Sequence, residues 1–163
     1  MKIAQLATLC FTCLLGILPA AVSAQPYVIS ADGSEVTDQK TGLIWRRCAE
    51  GMIWDGATCA GTAGTFTHEA GLARAASQAG STGIAWRLPN VRELASIADK
   101  SRSNPAIDPT AFPATPSFWF WSSSPYVGLS FSAWFVDFSD GVVNVSGLRF
   151  NVSLHVRLVR AGQ

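Results

Sequence analysis

The chain has 163 residues, of which 48% are hydrophobic and only 14% charged, and a formal net charge of +1. That length suits one compact domain, and the composition excludes a disordered or polyelectrolyte chain. With so small a net charge there is no global field to draw in nucleic acid or an anionic membrane.

Lys2 precedes an apolar run from Ile3 to Leu18, and Val22-Ser23-Ala24 sets small residues at the two positions a signal peptidase reads. This pattern predicts a cleaved signal peptide over residues 1–24, cut before Gln25, and a secreted or periplasmic product. A membrane-spanning helix is the competing reading; it needs about 20 apolar residues, and the small-residue exit favours cleavage. Neither Cys10 nor Cys13 stands in a lipoprotein pattern. No later apolar run is long enough to span a bilayer.

Cleavage removes Lys2 and leaves 11 basic side chains against 11 acidic ones. It also leaves two cysteines, Cys48 and Cys59. In an oxidising compartment such a pair reads as a disulfide. Their spacing is not Cys-x-x-Cys, and no further Cys or nearby His completes a zinc site.

Residues 25–35 form a polar lead-in segment. Val36–Asp38 and Leu43–Arg46 then read as a hairpin, with Gly42 in its turn. Residues 48–64 make a Gly- and Thr-rich disulfide loop. Phe66, Ala70, Ala73 and Ala76 follow helical spacing from Thr65 to Ala79, with Glu69 in the first turn, and Gly80–Gly83 ends the helix. Trp86-Arg-Leu-Pro89 is extended, because a residue before proline avoids the helical region. Asn90 with Glu93 makes a capping box. Val91, Leu94, Ala95 and Ala98 bury one face of a second helix that ends near Asp99-Lys100.

Pro105, Pro109, Pro113 and Pro116 make residues 101–117 a long loop. Phe118–Ser122, Trp134–Phe138, Val142–Val145 and Leu154–Val159 read as strands, with Ser139-Asp140-Gly141 a tight turn between the second and third. The class is α+β: two helices packed on a small twisted antiparallel sheet with long loops.

Several local motifs in this order carry a resemblance: Thr41-Gly-Leu-Ile-Trp45-Arg46 followed by Cys48, Trp86-Arg-Leu-Pro-Asn90 leading into Glu93-Leu94, Ile107-Asp108, Phe112-Pro113, Phe120-Trp-Ser-Ser123 and Val156-Arg-Leu-Val-Arg160. Over residues 36–160 the chain resembles the bacterial Lcl C-terminal-like domain. The resemblance implies a C-type-lectin-like fold, related to formylglycine-generating-enzyme domains, in which the first and last strands pair. It implies a surface or secreted protein, and a namesake that binds sulfated glycosaminoglycans and forms trimers. The collagen-like stalk preceding that namesake domain is missing from this sequence.

Enzyme signatures fail one by one. His68-Glu69 begins a zinc-protease pattern, but Leu72 stands where its next His belongs. There is no Gly-x-Ser-x-Gly elbow and no glycine-rich phosphate loop. The cysteine pair used by the oxidase relatives is missing after Cys59. His68 reads as an exposed first-turn residue and His155 as the outward face of a strand. No cofactor, metal or nucleic acid is expected, and the function read is a non-catalytic binding module for a glycan, sulfated or acidic ones included, or for a protein partner, at the cell exterior or in the periplasm. A structural or assembly subunit of an envelope structure is the alternative.

Three groups of residues are candidates for ligand binding. Arg46, Arg47, Arg157 and Arg160 would become neighbours if the first and last strands pair, and guanidinium matches sulfate or carboxylate; the bland reading pairs them with Glu35, Asp38 or Glu50. Tyr126, Leu129 and Phe131 suit an exposed aromatic surface. Asp137, Asp140 and Asn144 offer oxygen atoms, which read more simply as ordinary hairpin surface. Trp45, Trp86 and Trp134 read as core. Trp119 and Trp121 share one strand face, and Phe118 and Phe120 the other.

Overall fold

The computed structural model describes residues 26–146 and 148–162. The expected signal peptide and its cleavage site lie outside these residues. The architecture is α+β, as the order of elements predicts.

Strands β1 (Tyr27–Ile29), β2 (Glu35–Asp38), β3 (Leu43–Arg46) and, from the far end of the chain, β9 (Val159–Ala161) form one antiparallel sheet in the order β1-β2-β3-β9. The predicted hairpin is β2–β3. Its turn is held by Asp38, whose carboxylate accepts from the Lys40 amide at 2.9 Å and the Thr41 hydroxyl at 2.7 Å. The lead-in segment is more than a lead-in, because it supplies β1. Asp32 accepts from the hydroxyls of Ser30 and Ser34 at 2.6 Å each, and Gly33 takes φ +75°. These polar residues therefore build a hairpin turn rather than an approach to one.

Within the disulfide loop a short hairpin forms, β4 (Ile53–Trp54) with β5 (Cys59–Ala60). Asp55 closes its turn by accepting from the amides of Ala57 and Thr58. Cys48 and Cys59 are bonded.

Helix α1 runs His68–Thr82, three residues beyond the predicted end. Gly80 stays helical, and Gly83 provides the left-handed cap, its N–H bonding to the carbonyl of Ala79. Gly71 lies where the helix presses on the last segment; a Cβ there would meet Val156 at 3.0 Å. Helix α2 (Val91–Ser96) has the predicted capping box of Asn90 and Glu93. It stops short of Asp99, because Ala98 pairs with Ile107 and the Asp99 amide bonds to the Ala106 carbonyl. The long loop thus competes successfully for the chain, and it places Ile107, Ala111 and Phe112 in the core.

Strands β6 (Trp119–Pro125), β7 (Ala133–Asp137) and β8 (Val142–Ser146) form a second antiparallel sheet. Trp121 and Phe120 are both fully buried, so neither face of β6 is free along its middle, while Phe118 and Trp119 at its start are exposed.

The last segment differs most from expectation. Only Val159–Ala161 is a regular strand. Upstream, the Phe66 and Leu154 backbones exchange hydrogen bonds, the Glu50 amide bonds to the Val156 carbonyl and the Arg46 amide to that of Leu158. On the other flank lie His155 bonded to Trp119 and Trp121, and Arg87 bonded to Val159. Residues 154–159 are therefore held from both sides. Leu154, Val156 and Leu158 enter one core cluster with Trp86 and Trp121, and Val159 enters the other with Trp45 and Phe112. A threaded segment buries both of its faces, so the inside–outside alternation expected of a surface strand fails here.

Candidate functional site

The predicted strand pairing is present: Ile44 registers with Arg160 and Trp45 with Val159. It does not assemble a four-arginine patch. Arg157 is fully buried and donates to the carbonyls of Arg46 and Arg47 and to the Thr115 hydroxyl. Its guanidinium lies 4.9 Å from the Phe112 ring centroid, and burial pushes its pKa down to about 9. Arg47 is also buried, donating to the carbonyls of Gly33, Thr110 and Ala111, and burial likewise lowers its pKa. Both are pins that fasten the long loop to the first sheet. The sequence places both as neighbours across a sheet edge, but arginine is rarely buried unless paired, and here carbonyls and aromatic rings are the partners that permit its burial.

Arg46 and Arg160 do face outward, and both are ion-paired. Arg46 meets Glu50 at 3.1 Å, and Glu50, itself buried, also holds Arg74 at 2.7 Å. Arg160 meets Glu35 at 2.6 Å. The guanidinium carbons of Arg46 and Arg160 lie 5.0 and 5.5 Å from the Trp86 ring centroid.

Arg46, Glu35 and Glu50 border an open cleft of about 410 Å³ between the first sheet, the disulfide loop and the end of α1. Trp54 and Trp86 line it with Glu35, Arg46 and Glu50, and Asp32 stands at its edge. Trp86 is nearly buried and serves as floor. Trp54 is half-buried, with Arg47 4.2 Å from its ring centroid. Its indole lies so close to Gly33 that a Cβ there would fall 2.5 Å from Nε1, which requires glycine at that turn. Hydrogen bonds from Ser30 and Ser34 hold the Asp32 carboxylate down to about 2. The disulfide ties β5, and with it the β4 strand carrying Trp54, back to Cys48 beside Arg46.

Sequence reading missed Trp54, Asp32 and the role of the two glutamates as cleft walls. Trp54 sits in a two-residue strand with no periodicity to mark it. The one signal was an aromatic residue inside a disulfide-bounded loop.

The other candidates lie elsewhere. Tyr126 packs edge-on against Trp134, and Leu129 and Phe131 are exposed, as expected. Asp137 accepts from the Trp119 indole at 2.7 Å and from the Ser139 amide at 2.8 Å. Burial opposes its ionisation, but these bonds outweigh burial and lower its pKa. Asp140 caps the hairpin turn by accepting from Val142, and Asn144 is exposed on β8. No group of three or more His, Cys, Asp or Glu among the described residues is placed to hold a metal ion. His68 is not exposed: it is 3% accessible, bonds through Nε2 to the Ser122 carbonyl at 3.0 Å and packs edge-on against Trp121. The first turn of α1 lies against β6, which covers it. His155 is half-buried, with Nδ1 2.9 Å from the Gly64 carbonyl.

A family model, the Lcl C-terminal domain, matches residues 34–160. The chain belongs to the Lcl C-terminal domain family. No curated protein and no solved structure matches it. The cleft lies within the Lcl C-terminal domain except for Asp32, which precedes the matched residues. The same holds for β1, an addition at the edge of the domain's sheet. No helix among the described residues of this Lcl C-terminal domain protein is long and apolar enough to cross a membrane.

Proposed function

We propose that this protein is a secreted or periplasmic, non-catalytic binding module with a C-type-lectin-like fold, and that it recognises a glycan through the cleft. The carrying observation is the cleft wall itself: Trp54 beside Arg46, Glu50 and Glu35 already locked in ion pairs. A sugar presents an apolar face bordered by hydroxyls. An indole ring takes the first, and fixed donors and acceptors take the second with little ordering cost. Two helices with long loops, and pairing of early and late strands, support the C-type-lectin-like reading. A glycan array probed with the wild-type protein and with Trp54→Ala tests the function. Binding by the first and its loss in a variant that melts like wild type are expected. A folded protein that retains no glycan would remove the reading.

A second reading, an assembly subunit of an envelope structure, is favoured by a different surface. Val127 (99% accessible), Leu129, Phe131, Leu148 and Phe150 are exposed on two loops at one end of the second sheet, joined where the Arg149 amide bonds to the Phe131 carbonyl. An apolar patch of this kind marks interaction surfaces. Co-sedimentation of the protein with an envelope complex, abolished by Phe131→Ser with Leu148→Ser, would support it over the glycan reading.

A further inference from the structure

We infer that the cleft accepts an uncharged, hydroxyl-rich saccharide and discriminates against sulfated or carboxylated ones. The inference rests on the glycan reading and narrows it.

No guanidinium at the cleft is left without a carboxylate. Asp32, Glu35, Glu50 and Arg46 line it, and Arg74 and Arg160 each bind one of those carboxylates. Arg46 and Arg74 share Glu50, and Arg160 holds Glu35. A sulfate drawn to the guanidinium of Arg46 would lie against the carboxylates of Glu50, its ion-pair partner, and of Glu35, its neighbour across the strand pair, and that repulsion offsets the attraction. Asp32 adds negative charge without a cationic partner among the described residues, its oxygens engaged by Ser30 and Ser34. Arg47 and Arg157, the remaining arginines of the strand pair, are buried and bonded to backbone carbonyls.

The same wall suits hydroxyls. Glu35 and Arg46 stand opposite each other on β2 and β3. Glu35 receives Arg160 on Oε2, and Arg46 uses Nη1 for Glu50. Oε1 of the one and Nη2 of the other have no protein partner among the described residues. An acceptor and a donor on adjacent strands match neighbouring sugar hydroxyls, since each hydroxyl both donates and accepts. A neutral ligand makes these bonds without breaking either ion pair.

The test is a matched panel: cello-, chito- and galacto-oligosaccharides, and the same sugars sulfated at O6, titrated calorimetrically into the protein. Neutral members are expected to bind, and sulfation to weaken binding by on the order of tenfold, the worth of one charge-assisted contact. Glu35→Gln frees Arg160 and removes one negative charge, so it is expected to narrow that difference. Tighter binding of the sulfated members by the wild-type protein would overturn the inference while leaving the glycan reading intact. Failure of both classes to bind would overturn the two together. The wild-type comparison decides even if the variant does not fold.

Discussion

Arg160 and Glu35 meet at 2.6 Å although 125 positions separate them in the chain. Their strands are not neighbours: β3 lies between, and the pair reaches diagonally over it, Arg160 registering with Ile44 and Glu35 with Arg46. The contact explains why pairing of early and late strands does not by itself create a free cationic surface. The strand that delivers an arginine to the sheet delivers it next to a carboxylate.

Arg157 and Arg160 are three residues apart and are expected to behave oppositely when truncated. Arg157→Ala leaves the carbonyls of Arg46 and Arg47 and the Thr115 hydroxyl without their donor, inside the core. Unsatisfied buried acceptors cost about 1–3 kcal/mol each and the vacated volume adds to that, so urea unfolding should show little folded protein. Arg160→Ala breaks a pair whose side chains are 20% and 21% accessible, worth no more than about 1 kcal/mol. Equal midpoints for the two variants would refute the assignment of Arg157 as a pin.

The two cleft tryptophans separate in the same way. Trp86 is 4% accessible and packs in the cluster of Leu88, Trp121 and Leu158. Trp86→Ala is expected to cost about 3–5 kcal/mol, as core aromatic truncations do. Trp54→Ala, at the cleft wall, is expected to leave most of the stability in place. Thermal melts of the two variants give the comparison, and a Trp86→Ala protein as stable as wild type would place that ring outside the core.

Reduction of the Cys48–Cys59 bond releases a loop of 11 residues and should lower stability by about 3 kcal/mol on the chain-entropy model. It should also loosen the hairpin carrying Trp54, so a change in indole fluorescence is expected to precede global unfolding in a reductant titration. Mass spectrometry of the unreduced protein should show no free thiol at either position.

His68 makes stability depend on pH. Burial lowers its pKa, the bond to Ser122 opposes this, and the charge of Arg149 lowers it further. The unfolded chain therefore takes up the proton first as pH falls. The contribution of neutral His68 is complete above about 6.5 and is lost as pH drops toward the folded value. The urea midpoint should fall between pH 7 and pH 5 in the wild type, and much less in His68→Gln. The carboxylates of Asp32, Glu93 and Asp99 have lowered pKa values, so they titrate below that window.

The local signals were legible where a residue type dictates its own geometry. Asn90 and Glu93 announce a helix start because both act within three residues of each other. Trp45 and Val36 are buried where an alternating hairpin puts them. Legibility ended where burial is decided by distant partners. Arg157 alternates like a surface residue, and its burial follows from Phe112 and Thr115, which lie on the long loop. His68 looks like a first-turn side chain until β6 covers it. Trp54 became a cleft wall only through a glycine turn 21 positions earlier, at Gly33, and a disulfide that fixes its hairpin.

The threading of residues 154–161 through the centre of the molecule constrains the order of events during synthesis. Strand β3 is finished at Arg46, yet its partner begins at Val159, and the gaps beside Phe66, Glu50 and Arg87 are filled only by residues 154–159. A chain that stops short of Leu154 lacks the segment that all of these partners bind. Contacts this far apart in sequence form late, because a long loop must close before they reward it. Both core clusters therefore stay incomplete until residues 154–159 have been made.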